Sequence, residues 1–243
     1  MIIYLKSCVI IVEMVKIFSI EGNIGSGKST LVKILRESCP HFIYMLEPVD
    51  EWSEVKDSAG ENILTKFYRD QEKYSFSFQM MAYISRLAKL KRLVKKFPKS
   101  IIITERSVLT DKNVFAKMLY DDNKIEEVNY LIYLKWFNEF IREVPITGYI
   151  YVNVTPETSH KRVLKRNRQG EDIPLSYLHT CNQYHQKWLA GEKNVLMLDA
   201  EIDFEQDQHI QQKMICKIDE FVREAPMETS IDVLNMYKYA HFC

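Results

Sequence analysis

Residues 22–30, Gly-Asn-Ile-Gly-Ser-Gly-Lys-Ser-Thr, contain the pattern G-x-x-x-x-G-K-[ST] from Gly22 to Ser29. An apolar run of strand length (16–20) precedes them, and an amphipathic stretch carrying Leu31, Ile34 and Leu35 follows. Strand in and helix out is the context this loop requires. Three of the seven glycines in the chain fall here (Gly22, Gly25, Gly27). They let the amides of Asn23, Ile24, Ser26 and their neighbours turn inward around phosphate, where the helix N-terminus adds positive potential. Lys28 is expected to neutralise the β- and γ-phosphates of a nucleoside triphosphate, pointing at ligand rather than core, with Ser29 ligating Mg²⁺. The loop lacks G-x-G-x-x-G spacing, which argues against dinucleotide binding.

Further apolar runs at 42–46, 100–104, 149–153 and 194–198 are short and unalternating, as expected of strands covered on both faces. Amphipathic stretches separate them. The clearest starts near Ser75, where Phe76, Met80, Tyr83, Leu87, Leu90 and Val94 step along one helix face. Others span 124–143, 156–168, 175–189 and 205–222. Strand–helix alternation predicts right-handed crossovers and a doubly wound α/β domain on a five-stranded parallel sheet, from about 14 to 222. Residues 1–13 are apolar in part but too short to span a bilayer. They read as a leader or alternative start, with an added strand as the other option. Residues 223–243 form a tail to which the sequence assigns no role, although 231–242 could form a short helix.

With 33 basic and 33 acidic residues the formal net charge is zero, so neither nucleic acid nor an anionic membrane is the expected partner. Cys8, Cys39, Cys181, Cys216 and Cys243 are scattered, which fits a reducing compartment such as the cytoplasm. His179, Cys181 and His185 on one helix offer at best two adjacent metal ligands, so surface or core roles are expected.

In open α/β sheets, ligands bind beyond the carboxyl ends of the strands. Glu47 follows the run at 42–46, and Glu105-Arg106-Ser107 follows the run at 100–104. Both place a carboxylate near the γ-phosphate position. One could serve as general base on an acceptor hydroxyl, and the other could support the metal. Arg162, Arg166 and Arg168 lie near the end of the helix after the fourth strand and read as a lid over the triphosphate.

These residues carry a resemblance. The chain is similar, over about residues 16–221, to the deoxynucleoside kinase family, the relatives of the deoxycytidine, deoxyguanosine and mitochondrial thymidine kinases. The shared motifs are the loop 22–30, Glu47-Pro-Val-Asp-Glu-Trp52, Phe76-Ser-Phe-Gln79 with Ser85-Arg86, Glu105-Arg-Ser107 with Asp111, and Arg166-x-Arg168-x-x-Glu171. The resemblance implies ATP-dependent phosphorylation of a deoxynucleoside 5′-OH for DNA precursor salvage. It implies Glu47 as general base, Arg106 positioning the hydroxyl and phosphate, and Glu105 supporting Mg²⁺ beside Ser29. Tyr68 and Glu171 would hold the 3′-OH and Gln79 the base, with Trp52, Phe78, Phe115, Ile24 and Val49 packed around the nucleoside. Asp199 and Phe204 bound the loop matching the one that surrounds the donor base. Arg86 and Asp111 match an ion pair at the edge of the acceptor base, and a homodimer is implied. The stretch between Glu171 and Pro174 is one residue shorter than in the deoxycytidine kinases.

Two other readings compete. A nucleoside-monophosphate kinase shares the loop and lid but needs extra cations for its acceptor phosphate, where this chain has Glu47-Pro48. A non-catalytic relative would be free to lose Lys28, Glu47 or Arg106, and all three are present.

Overall fold

The computed structural model describes residues 15–168 and 172–225, together with the backbone of 2–5 and 8–11. Strands β1 (Ile2–Leu5) and β2 (Cys8–Ile11) pair antiparallel in a small sheet of their own. The segment expected as a leader thus carries strand. Most of the tail, from residue 226 on and including the helix considered at 231–242, lies outside the described residues.

The main sheet contains β3 (Lys16–Glu21), β4 (Ile43–Met45), β5 (Ile101–Glu105), β6 (Gly148–Asn153) and β7 (Val195–Asp199). Its order is β4-β5-β3-β6-β7 with every pairing parallel. The pleat sends alternate residues to opposite faces. Ile17 and Ile102 enter one buried cluster, while Phe18, Ile20 and Ile103 enter the other. The first cluster is covered by α4 (Gln71–Lys96) and α7 (Glu127–Phe140), the second by α1 (Lys28–Ser38) and α10 (Gln208–Glu224). This two-faced burial is why the strands read as continuous apolar runs. β7 departs from it: it is an edge strand, and Met197 is 62% exposed.

Helix starts fall where capping chemistry places them rather than where apolar periodicity begins. α4 starts four residues before Ser75, because Asp70 accepts from Lys73 N. α8 (Pro156–Arg166) starts behind Thr155, whose hydroxyl accepts from Thr158 N, and α9 spans Leu175–Leu189. Three helical pieces were not predicted: α2 (Val49–Glu54), α3 (Ile63–Arg69) and a stretch over 108–121. That stretch runs through α5 (Val108–Thr110), a π-helical segment Asp111–Ala116 and α6 (Lys117–Asp121). All are too short, or too wound toward the site, to show a 3.6-residue period. α7 begins at Glu127 rather than 124, because Lys124 and Ile125 donate back to Leu119 O in a closing turn.

The topology sets up the site. The phosphate loop leaves central β3, Glu47 follows β4, Glu105 ends β5, the arginine-bearing helix follows β6 and the 199–204 loop follows β7. All five features therefore gather at one edge of the sheet.

Candidate active site

The loop after β3 has left-handed backbone at Gly22 (φ 145°), Gly25 (φ 79°) and Gly27 (φ 99°), which side chains rarely tolerate. A Cβ at Gly25 would stand 2.5 Å from Ser159 O on α8. The bare glycine is therefore what allows α8 to approach the loop. Lys28 is buried, and its ammonium donates to Gly22 O (3.0 Å) and Asn23 O (2.6 Å). It was expected to point at ligand; here its charge is held by the loop's own carbonyls. Burial, helped by Arg106 and opposed by Glu105 and Glu47, pulls its pKa down to about 7.

Beside this floor lies a buried chain of charge. Glu47 Oε1 accepts from Arg106 Nη1 and from Arg86 Nη2, each at 2.9 Å. Arg86 also donates through Nε to Asp111 Oδ2 (2.9 Å) and through Nη1 to Glu105 O (2.9 Å). Burial alone would raise the pKa of Glu47. Arg106, Arg86 and Lys28 outweigh it and bring the carboxyl down to about 2. Asp111 is shifted upward, because its burial outweighs the pull of Arg86. Arg106 carries a left-handed φ of 60°, a strained position for a non-glycine residue. Its guanidinium sits 5.1 Å from the Phe115 ring centre, and its buried Nε has no partner among the described residues. Ser29 Oγ donates to Glu105 Oε1 at 2.5 Å, bringing two hard oxygen donors together at the start of α1.

These groups open on a cleft of about 670 Å³. Ile24, Val49, Trp52, Tyr68, Phe78, Gln79 and Phe115 line one part of it, as do Arg86, Arg106 and Asp111. Trp52 packs edge-on against Phe78 at 5.4 Å and donates through Nε1 to Ser85 Oγ. Gln79 Oε1 is buried with no partner among the described residues. Arg162, Arg166, Arg168 and Phe204 line the part over the phosphate loop, together with Gly25, Gly27, Lys28, Ser29 and Thr30. Arg162 donates to Ser26 O (3.3 Å) and Ala200 O (2.9 Å), joining loop, α8 and the segment after β7. Asp199 stands away from the cleft lining, its Oδ1 accepting from Glu201 N. Glu171 lies outside the described residues.

Two placements were not legible in the sequence, while His185 and Cys181 take one of the two roles expected of them. Tyr177, on the first turn of α9, lines the cleft, yet nothing in its local pattern marks it. Glu21 is wholly buried at the end of β3, and a charged residue closing an apolar strand was the available signal. His185 and Cys181 are core residues: His185 Nδ1 lies 2.8 Å from Cys181 O, and burial lowers the His185 pKa to about 3.

One cleft thus joins the glycine-rich loop to an aromatic-walled pocket whose arginines are already paired with carboxylates. That combination defines a phosphotransferase whose acceptor is a small alcohol rather than an anion. The comparison with known families takes the assignment further: the deoxynucleoside kinase model matches residues 18–223, and the chain belongs to that family. It is 34% identical to human deoxycytidine kinase over 86% of this chain and 91% of that one. It is equally similar to the fowlpox virus (strain NVSL) protein named "Probable deoxycytidine kinase", over 88% and 91% of the two chains. Identity to the mitochondrial deoxyguanosine kinase of Xenopus laevis is 32%, over 79% and 83%. The enzyme phosphorylates deoxynucleosides with a nucleoside triphosphate as donor.

The depressed Lys28 pKa has a measurable consequence. At pH 8, above about 7, the amine is mostly neutral, and an arriving triphosphate favours its ammonium form. Nucleotide binding at pH 8 should therefore take up a proton, and at pH 6, where Lys28 is already charged, it should not. Calorimetry in two buffers of different ionisation enthalpy reads this directly. Lys28→Met should lose both the uptake and phosphoryl transfer.

Proposed function

We propose that this enzyme moves the γ-phosphate of ATP to the 5′-OH of a deoxynucleoside, favouring deoxycytidine or a purine deoxynucleoside. The observation that carries the reading is Glu47, held by two arginines between the phosphate loop and the aromatic pocket. Domain bounds of 14–222 and a cytoplasmic location complete the proposal. The location draws support from the free state of Cys39, Cys181 and Cys216. Among the described residues no helix is long and apolar enough to cross a membrane.

In this reading Glu47 accepts the hydroxyl proton. A carboxyl with a pKa of about 2 is a weak base, yet it is ionised throughout the neutral range. Phosphoryl transfer proceeds through a loose transition state, so the hydroxyl becomes acidic only as its bond to phosphorus forms. A weak, well-placed base is sufficient for so late a transfer. Arg106 then has its unpartnered Nε to offer the transferring group. Ser29 and Glu105 are suited to Mg²⁺, a hard cation that uses few protein oxygens and shares the rest of its shell with phosphates and water. Bound there, Mg²⁺ would supply charge neutralisation between the β- and γ-phosphates. Arg162, Arg166 and Arg168 cover the triphosphate, Tyr68 and Glu171 take the 3′-OH, and Asp199 and Phe204 bound the donor-base loop.

At the acceptor base, Gln79 Oε1 can accept from an exocyclic amine. Ionised Asp111 can also only accept, and it keeps lone pairs beyond those engaged by Arg86. Thymine presents a carbonyl there, and two acceptors facing each other out of water cost about 1–3 kcal/mol, or roughly ten- to a hundredfold in preference. A homodimer is also proposed. Val128, Leu131, Ile132 and Trp136 on α7, with Ile84 on the adjoining α4, form an exposed apolar stripe suited to a second copy.

Three measurements test these points. Glu47→Gln should lower kcat by about a hundredfold or more with the KM for ATP little changed; near-normal turnover would remove its role as base. For the acceptor, kcat/KM is measured on all four deoxynucleosides. Arg86→Met with Asp111→Ala should slow every reaction, because Glu47 loses a donor, while raising thymidine relative to deoxycytidine. Thymidine as the best substrate of the unaltered enzyme would overturn the base preference. Sedimentation should show a dimer that Leu131→Glu converts to monomer, and a monomeric unaltered chain would refute the stripe as a dimer face.

A further inference from the structure

Glu21 ends β3 immediately before Gly22, is fully buried and does not line the cleft. A carboxylate removed from water needs compensation. Burial pushes the Glu21 carboxyl above its usual range, and the hydroxyls of Ser19, Thr110 and Ser107, with the charge of Arg106 behind them, pull it back. Ser19 Oγ (2.5 Å) and Ser107 Oγ (2.9 Å) donate to Oε1, and Thr110 Oγ1 (2.5 Å) donates to Oε2.

Two of these hydroxyls also form the capping box of α5. Ser107 Oγ accepts from Thr110 N (3.3 Å), and Thr110 Oγ1 accepts from Ser107 N (3.1 Å). A hydroxyl has one proton to donate. Giving it to Glu21 leaves each oxygen free to accept from a backbone amide. Without that carboxylate the two oxygens, 3.2 Å apart, could donate to each other instead and the box would lose its defined sense.

The residue just before this box is Arg106, with its left-handed φ of 60°. Its backbone N donates to Ile20 O (3.0 Å), beside Glu21 on the same strand. The strained turn is thus tied to β3 on both sides, through its own amide and through Ser107. We infer that Glu21 is a positioning residue: by orienting the Ser107 and Thr110 hydroxyls it holds the turn that aims Arg106 at Glu47. The inference rests on the role given to Arg106 above.

Glu21→Gln keeps the shape but replaces one acceptor oxygen with a donor, so the direction of the hydroxyl protons is no longer specified. A neutral amide is also easier to bury than a carboxylate, so thermal stability should hold or rise. The expected result is a kcat about tenfold lower, with KM for both substrates within about twofold. Because Glu21 acts through Arg106, the double variant Glu21→Gln/Arg106→Lys should be no slower than Arg106→Lys alone. Thr110→Val, which removes one hydroxyl donor at nearly constant shape, should give the same kcat loss and stands in if Glu21→Gln does not fold. Unchanged kcat, or losses that multiply in the double variant, would overturn the positioning role while leaving that of Arg106 intact. Full activity in Arg106→Lys would overturn both.

Discussion

The site depends on two arginines and two carboxylates buried together: Arg106, Glu47, Arg86 and Asp111. Each is costly to take out of water alone, and only Glu47 keeps a small exposed part, on the cleft side. Paired, they compensate one another's charge, and Arg86 ties off the end of β5 through Glu105 O. The same pairing decides what Glu47 can be chemically. Two guanidiniums keep its carboxyl ionised and weakly basic, which suits a late proton transfer and would be a handicap in a reaction needing early deprotonation. Asp111 and Glu47 share Arg86, so a change at one carboxylate reaches the other through a single guanidinium.

Strain collects around the same point. The phosphate loop takes its left-handed turns on glycine, where they cost little, whereas Arg106 takes one with a full side chain. Such a conformation persists only when its surroundings over-determine it. The amide bond to Ile20 and the hydroxyl cage around Glu21 supply that constraint. The π-helical turn beginning at Asp111 follows directly, winding the chain so that Asp111 faces Arg86 across the pocket. Rigid strands behind the site and irregular backbone in front of it are two parts of one arrangement.

Much of this was legible in one dimension. The loop at 22–30 announced its function because glycine freedom, a helix N-terminus and a lysine at fixed spacing act locally. The sheet was legible because strands covered on both faces must be apolar throughout, and α4 because its apolar residues repeat with the helix period. The short helices α2 and α3 were not, since a segment of one or two turns has no period to read. Tyr177 was missed because a tyrosine early in a helix carries no mark of the direction it faces.

By itself, then, the sequence determined the parts: a glycine-rich loop, five parallel strands, the carboxylates that follow two of them, and the arginines that follow the fourth. Tertiary structure alone decided how those parts meet. Arg86 and Arg106 reach Glu47 from 39 and 59 residues away, and Arg86 reaches Asp111 across 25. Those meetings follow from the strand order, which sets β5 between β3 and β4 and so brings the residues after each strand to one edge. Charge at short range in a buried place governs the pKa values, and no property of the linear chain encodes that distance.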